Sequence, residues 1–187
     1  MDALINFCHH VSSLDINAKK ALHNANFESK FFKKGEPILR ENSYCNHLYF
    51  ITKGLTKFCF SSEEKEFIMR FFPENILFTN LDNYTSGRKS KYKFIAIEDT
   101  SLIQISITEF ELLCKQHHSI ETFYRKFMTM ANKNMMERIS EMLEEEAKNR
   151  YENFTKKFPF LMQRVSLGDL SNYLGITQVS LSRIRAK

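Results

Sequence analysis

The chain has 187 residues, 43% hydrophobic and 26% charged, enough for one well-cored domain and a small second one. No window approaches the roughly 18 to 20 apolar residues of a membrane span, and the opening "MDALINFCHHVSSLD" has no basic leader, so a cytoplasmic protein with no membrane partner is expected. The net charge of +5 is uneven: Lys156, Lys157, Arg164, Arg183, Arg185 and Lys187 face Asp169 alone, so the first 155 residues sum to zero. A neutral body with a basic tail predicts a polyanion partner at the tail.

In residues 1–26, Leu4, Phe7, Cys8, Val11 and Leu14 recur at helical spacing, and "LDINAKKALHNA" holds further amphipathic turns. From Phe27 the rhythm changes to short β-rich runs, "FESKFF", "PILRE", "HLYFIT", "LTKFCF" and "EFIMRFF", separated by turn-forming stretches. "KYKFIAIE" and "SLIQIS" continue the series, and Gly35 and Gly54 fall at turns. The expectation is an α+β protein whose first 118 residues form N-terminal helices and an antiparallel β-roll.

Thr108 is expected to cap the helix that leaves the roll. From Ser119 to Phe158 no Gly or Pro interrupts the chain. Tyr124, Met128, Ala131, Met135, Ile139 and Met142 form a stripe stepping by three or four residues. This predicts a long helix over 119–143 that pairs with a second copy as well as packing on its own roll. Residues 144–187 are assigned to a helical unit, with Glu144, Glu145 and Glu146 as a solvated face.

The stretch "VSLGDLSNYLGITQVSLSRIRAK" carries the densest signal. Ser166 suits an N-cap, with Asp169 three residues on, while Leu170 and Leu174 make an inner face. Gly175 supplies a left-handed turn, Ile176 plugs the corner, Thr177 caps the next helix, and Leu181 and Ile184 face inward. These are the residue types of a helix-turn-helix at 166–187. Its outward residues would be Gln178, Val179, Ser182, Arg183 and Arg185, with Lys187 following. Gln178 suits an adenine edge, Arg183 a guanine edge and Val179 a thymine methyl; Thr177, Ser180 and Ser182 suit phosphate oxygens. Double-stranded DNA is the expected partner.

The cysteines Cys8, Cys45, Cys59 and Cys114 stand apart, as buried reduced thiols do, and the doublets His9-His10 and His117-His118 complete no ligand set. His47 is isolated among the strands, no nucleophile triad or phosphate loop stands out, and neither an enzyme nor a resident cofactor or metal is expected.

In this order of parts the chain resembles the Crp-Fnr family of bacterial transcription regulators. The likeness rests on "FKKGEPILRENSYCNHLYFITKGLTKF", "KFIAIEDTSLIQISITEFELL" and the terminal stretch above. It implies a cyclic-nucleotide-binding-type roll, a homodimer paired through the long helix, and base contacts from Gln178, Val179 and Arg183 in successive major grooves about 34 Å apart. Two departures qualify it. Members that bind cyclic AMP carry Gly-Glu and, about ten residues on, Arg followed by Ser or Thr; here Thr79-Asn80 and Ser90-Lys91 stand near those places. Asn80, Arg88, Ser90 and Lys91 would then line any ligand pocket, cyclic AMP is not the expected effector, and the effector is unassigned. The second departure is that the chain stops at Lys187, so no wing is expected after the recognition helix. A competing reading is a small-ligand sensor acting through a protein partner without DNA binding.

Overall fold

The computed structural model describes residues 1–63, 65–80 and 87–186. The N-terminal periodicity becomes α1 (Asp2–Val11) and α2 (Ile16–Asn24), which bury Leu4, Cys8, Ala18 and Leu22. Asp15 accepts the Ser119 hydroxyl at 2.6 Å and the Ala18 N–H at 2.9 Å, which holds its carboxyl below the usual carboxylate range and starts α2.

The β-rich runs form β1 (Glu28–Phe32), β2 (Pro37–Leu39), β3 (His47–Lys53), β4 (Thr56–Ser62), β5 (Lys65–Phe72), β6 (Leu77–Phe78), β7 (Lys93–Ala96) and β8 (Thr100–Ser106). They pair antiparallel in two four-stranded sheets, ordered β1-β8-β3-β6 and β2-β7-β4-β5. Period-two alternation sorts the side chains between layers. In β3, Tyr49 and Ile51 point between the sheets, where they meet Leu39, Phe78, Phe94 and Leu102. Leu48 and Phe50 point the other way into a core shared with the helices that flank the roll. On the outer face of the second sheet, Cys59, Ile68 and Phe71 pack against the C-terminal helices. All four cysteines are buried and free, as expected; burial pushes the thiols of Cys8, Cys59 and Cys114 up to about 12.

Between β3 and β4 the chain turns at Gly54, whose φ is +103° and where a Cβ would stand 2.6 Å from Thr100 Oγ1. Only glycine fits that approach.

The helices that follow are α3 (Ile107–Gln116), α4 (His118–Glu144), α5 (Ala147–Lys157), a 3-10 turn (Pro159–Leu161), α6 (Leu167–Leu174) and α7 (Gln178–Arg185). One expectation is corrected here. Ser106, not Thr108, caps α3, its Oγ accepting the Glu109 N–H at 3.1 Å. Ser-Ile-Thr-Glu has the capping-box spacing, and Ser106 is still extended at the end of β8, whereas Thr108 already lies inside the helix. The run to Phe158 without Gly or Pro is divided at Glu145 and Glu146, both extended, so that α4 ends at Glu144. Adjacent carboxylates oppose the dipole at the end of α4 but favour the start of α5. Arg150 Nη1 donates to Glu145 O at 2.5 Å and Asn153 Nδ2 to Glu145 Oε2 at 2.8 Å, so Glu145 is held in the junction and only part of the acidic run is a solvated face. Among the described residues no helix is long and apolar enough to cross a membrane.

Candidate nucleic-acid interface

Local chemistry sets the α6–α7 pair. Ser166 Oγ accepts the Asp169 N–H at 3.0 Å, and Gly175 closes α6 at φ 70°, in the left-handed region. Thr177 Oγ1 accepts the Ser180 N–H at 3.1 Å and opens α7. Leu170, Leu174 and Leu181 are fully buried, as their spacing requires.

The outer face of α7 presents Gln178, Val179, Ser182, Arg183 and Arg185, all exposed, with Thr177 exposed and Ser180 half-buried at its start. This is the outward set expected from spacing. Lys187 lies outside the described residues. The Gln178 amide rests beside α6, with Nε2 3.1 Å from where a Cβ on Gly168 would stand.

Charged side chains from other elements hold α6 in place. Arg138 of α4, 9% exposed, donates Nη1 to Glu141 Oε2 at 2.7 Å and Nη2 to Tyr173 O, and its guanidinium lies 3.9 Å from the Tyr173 ring centroid. Arg150 of α5 donates Nε to Leu174 O at 3.1 Å. Two carbonyls that the end of α6 leaves without helical partners are thus satisfied by buried guanidinium groups. At the other end, Lys57 of β4 reaches Asp169 at 2.7 Å and Glu66 at 2.6 Å. Burial works to lower the Lys57 pKa, but the two carboxylates outweigh it and leave the pKa raised.

Arg164 corrects the charge reading of the tail. It forks onto Glu74 with bonds of 3.0 and 2.7 Å and also donates to both oxygens of Glu98, so this cation is engaged with the roll. Its guanidinium is held above its ordinary range by Glu98 first and Glu74 second. Burial raises the Glu74 pKa, yet Arg164 and backbone N–H bonds outweigh it and leave the carboxyl below its usual range. Lys156, Lys157, Arg183 and Arg185 remain exposed.

The stripe expected on α4 divides between environments. Tyr124 is buried and Met128 packs in the N-terminal core; Ala131 and Met135 are half-buried. Ile139 is exposed, while the Met142 methyl reaches within 2.8 Å of where a Cβ on Gly175 would stand. Met136 and Leu143, absent from the expected stripe, are 59% and 80% exposed and share a face with Ile139. A spacing of three and four marks a face but not its neighbour, and α4 turns one flank to the roll and another to α6.

The expected ligand residues divide between two settings. Asn80 and Ser90 are buried against each other, Nδ2 donating to Oγ at 2.6 Å, and Ser90 Oγ donates on to Tyr92 O at 2.8 Å. Arg88 and Lys91 are exposed, and Lys91 lies over the Tyr92 and Phe60 rings at 5.1 and 5.7 Å. Between the sheets the rings close on one another, with Phe94 4.8 Å from both Phe58 and Phe78 and Tyr49 5.2 Å from Phe78. Residues 81–86, between Asn80 and Arg88, lie outside the described residues.

Together these define an antiparallel roll of the cyclic-nucleotide-binding type, followed by a long helix and a compact helical unit. Residues 29–117 match the cyclic nucleotide-binding domain family. No curated protein sequence matches the chain. Among solved structures the chain is similar to FixK2 from Bradyrhizobium japonicum, at 17% identity over 86% of this chain and 83% of that one, with a TM-score of 0.76. A Eubacterium rectale protein placed in the Crp/Fnr family aligns at 16% identity over 96% and 85%, with a TM-score of 0.72. The c-di-GMP-responsive global regulator CLP from Xanthomonas campestris aligns at 11% identity over 92% and 90%, with a TM-score of 0.69. At such identities the likeness is one of fold.

Proposed function

We propose that this chain is a sequence-specific DNA-binding transcription regulator of the Crp-Fnr type, acting as a homodimer and not responsive to cyclic AMP. The observation that carries it is α7: a helix capped by Thr177 and anchored by Leu181 that turns Gln178, Val179, Arg183 and Arg185 to solvent. Similarity of fold to a global regulator and to a Crp/Fnr protein supports the same reading. In this reading residues 1–118 form the sensor-type unit, 119–143 the pairing helix and 144–187 the reader. Met136, Ile139 and Leu143 supply the seam between copies, a face whose apolar side chains stand exposed in the single chain. The absence of the Gly-Glu and Arg-Ser pairs, the buried Asn80–Ser90 bond and the ring-filled interior support insensitivity to cyclic AMP.

Fluorescence anisotropy on promoter DNA tests the reading. The full chain should bind with an affinity that falls steeply with salt, and Arg183→Ala should lose about tenfold to a hundredfold on the preferred site. Salt-insensitive or absent binding by a folded protein would overturn it. Calorimetry with cyclic AMP should show no saturable heat.

A further inference from the structure

A cleft of about 700 Å³ opens where β5, α4 and α5 meet, away from both Asn80–Ser90 and the outer face of α7. Its walls include Met69 and Arg70 of the roll, Met135 of α4, and Phe158 and Tyr173 of the C-terminal unit. That volume suits a small organic molecule. Its carboxylates are engaged. Glu141 holds Arg138 at 2.7 Å, Glu145 accepts the Asn153 amide at 2.8 Å, and Glu137 lies 3.7 Å from Lys133 and 3.9 Å from Lys157.

Arg70 differs from the other guanidinium groups in this region. Arg138 and Arg164 have carboxylates and Arg150 has carbonyls, whereas the half-buried Arg70 makes no hydrogen bond or ion pair with a described residue; its close neighbour is the Phe72 ring, 5.9 Å from the guanidinium carbon. Burial is the largest influence on it and pulls its pKa down, against the opposing Coulombic influence of Tyr173 and Glu137, which line the same cleft. A partly desolvated cation facing a cleft with apolar walls is complementary to an anion with an apolar body.

We propose that this cleft binds a small amphipathic anion, its carboxylate or phosphate head on Arg70 and its apolar body along Met69, Met135, Phe158 and Tyr173. The cleft joins the roll, the long helix and α6, so its occupant bears on how α6 is held. As the effector site of a regulator it rests on the function proposed above; as a binding site it does not.

Isothermal titration of the full chain with decanoate, decyl phosphate, decanol and decylammonium, each below its micellar concentration, tests the site. Saturable binding of decanoate or decyl phosphate, with Kd raised at least tenfold by Arg70→Met, is expected, and whichever anion binds identifies the head. Met135→Trp, which fills the cleft and leaves Arg70 in place, should weaken the same binding. Decanol and decylammonium should give no saturable heat. Binding of none of the probes, equal binding of decanol and decanoate, or anion binding unchanged in both variants would overturn the proposal. DNA anisotropy on the same samples separates the two readings: anion binding without DNA binding leaves the site and removes the regulator, and the converse removes the site.

Discussion

Arg164→Gln is the substitution that most directly measures how the C-terminal helices are fastened to the roll. The arginine joins two carboxylates from separate loops of the roll, with side-chain exposures of 25% for Arg164, 32% for Glu74 and 34% for Glu98. A charge-assisted hydrogen bond contributes about 1.5 to 3 kcal/mol when well shielded and an exposed ion pair about 0.2 to 1 kcal/mol. At this intermediate exposure the fork onto Glu74 and the Glu98 bonds together are worth about 2 kcal/mol. Removing the cation also leaves Glu74 and Glu98 facing each other as like charges. A loss of about 2 kcal/mol corresponds to a roughly thirtyfold rise in the population with α6 lifted from the second sheet. Native-state hydrogen exchange reads this locally: the amides of Val165, Leu170 and Leu181, each bonded to a carbonyl four residues back, should lose about 1.5 log units of protection. The amides of β3 and β8 should move much less. Combining Arg164→Gln with Glu74→Gln should give less than the sum of the single effects, because both break the same fork. Unchanged protection at these three amides, or strict additivity, would refute the fastening role.

The remaining predictions concern the surroundings of that fork. Gly54→Ala should cost about 3 kcal/mol in urea unfolding, because the residue sits at positive φ and its new methyl would overlap Thr100 and the Asp99 carbonyl. Thr56→Val should raise stability by about 1 kcal/mol, since Thr56 Oγ1 is buried with no hydrogen-bond partner among the described residues and valine keeps the shape. The fastening should also respond to pH in a defined sense. Glu74 has its carboxyl depressed below the ordinary 4.5, so its contribution is complete above that value and is lost as pH falls through the lower folded value. Lys57 is raised above 10.5, so its contribution is complete below that and is lost as pH rises through the higher folded value. Near-ultraviolet circular dichroism of the Tyr173 region should therefore be flat from about pH 5 to pH 9 and change only outside it.

Local chemistry was the legible part of this sequence. The caps at Ser166 and Thr177 and the turn at Gly175 depend on neighbours within four residues, and alternation in runs such as "HLYFIT" separates the two faces of a strand without knowing what covers them. Contacts across the chain were not legible. Arg138, Arg150 and Arg164 find partners 35, 24 and 90 residues away in sequence, and nothing local distinguishes them from solvated cations. The signal that was present is that Arg138 lies on the same side of its helix as Ile120 and Phe127, where a solvated charge would be costly. Asn80 and Ser90 show the same limit, since polar types in a candidate ligand loop read as available groups, whereas in the fold Asn80 donates to Ser90 and Ser90 donates on to the Tyr92 carbonyl.

The polarity of α6 explains why its fastenings are arranged as they are. A helix carries partial positive charge at its start and negative charge at its end. Asp169 occupies the first turn, where a carboxylate is favoured, and Lys57 reaches the helix through that carboxylate rather than through the exposed N–H groups. At the far end Arg138 and Arg150 bond directly to the Tyr173 and Leu174 carbonyls. The attachments come from β4, α4 and α5, and the apolar side of α6 rests on the second sheet, with the Phe71 ring 5.3 Å from that of Tyr173. With α4, α5 and the second sheet fixing α6, the short turn through Gly175 fixes α7 in turn, and Arg183 and Arg185 stand exposed on it. The roll therefore reaches the outward helix through α6, and any event that alters β5 or the end of α4 has a direct structural path to it.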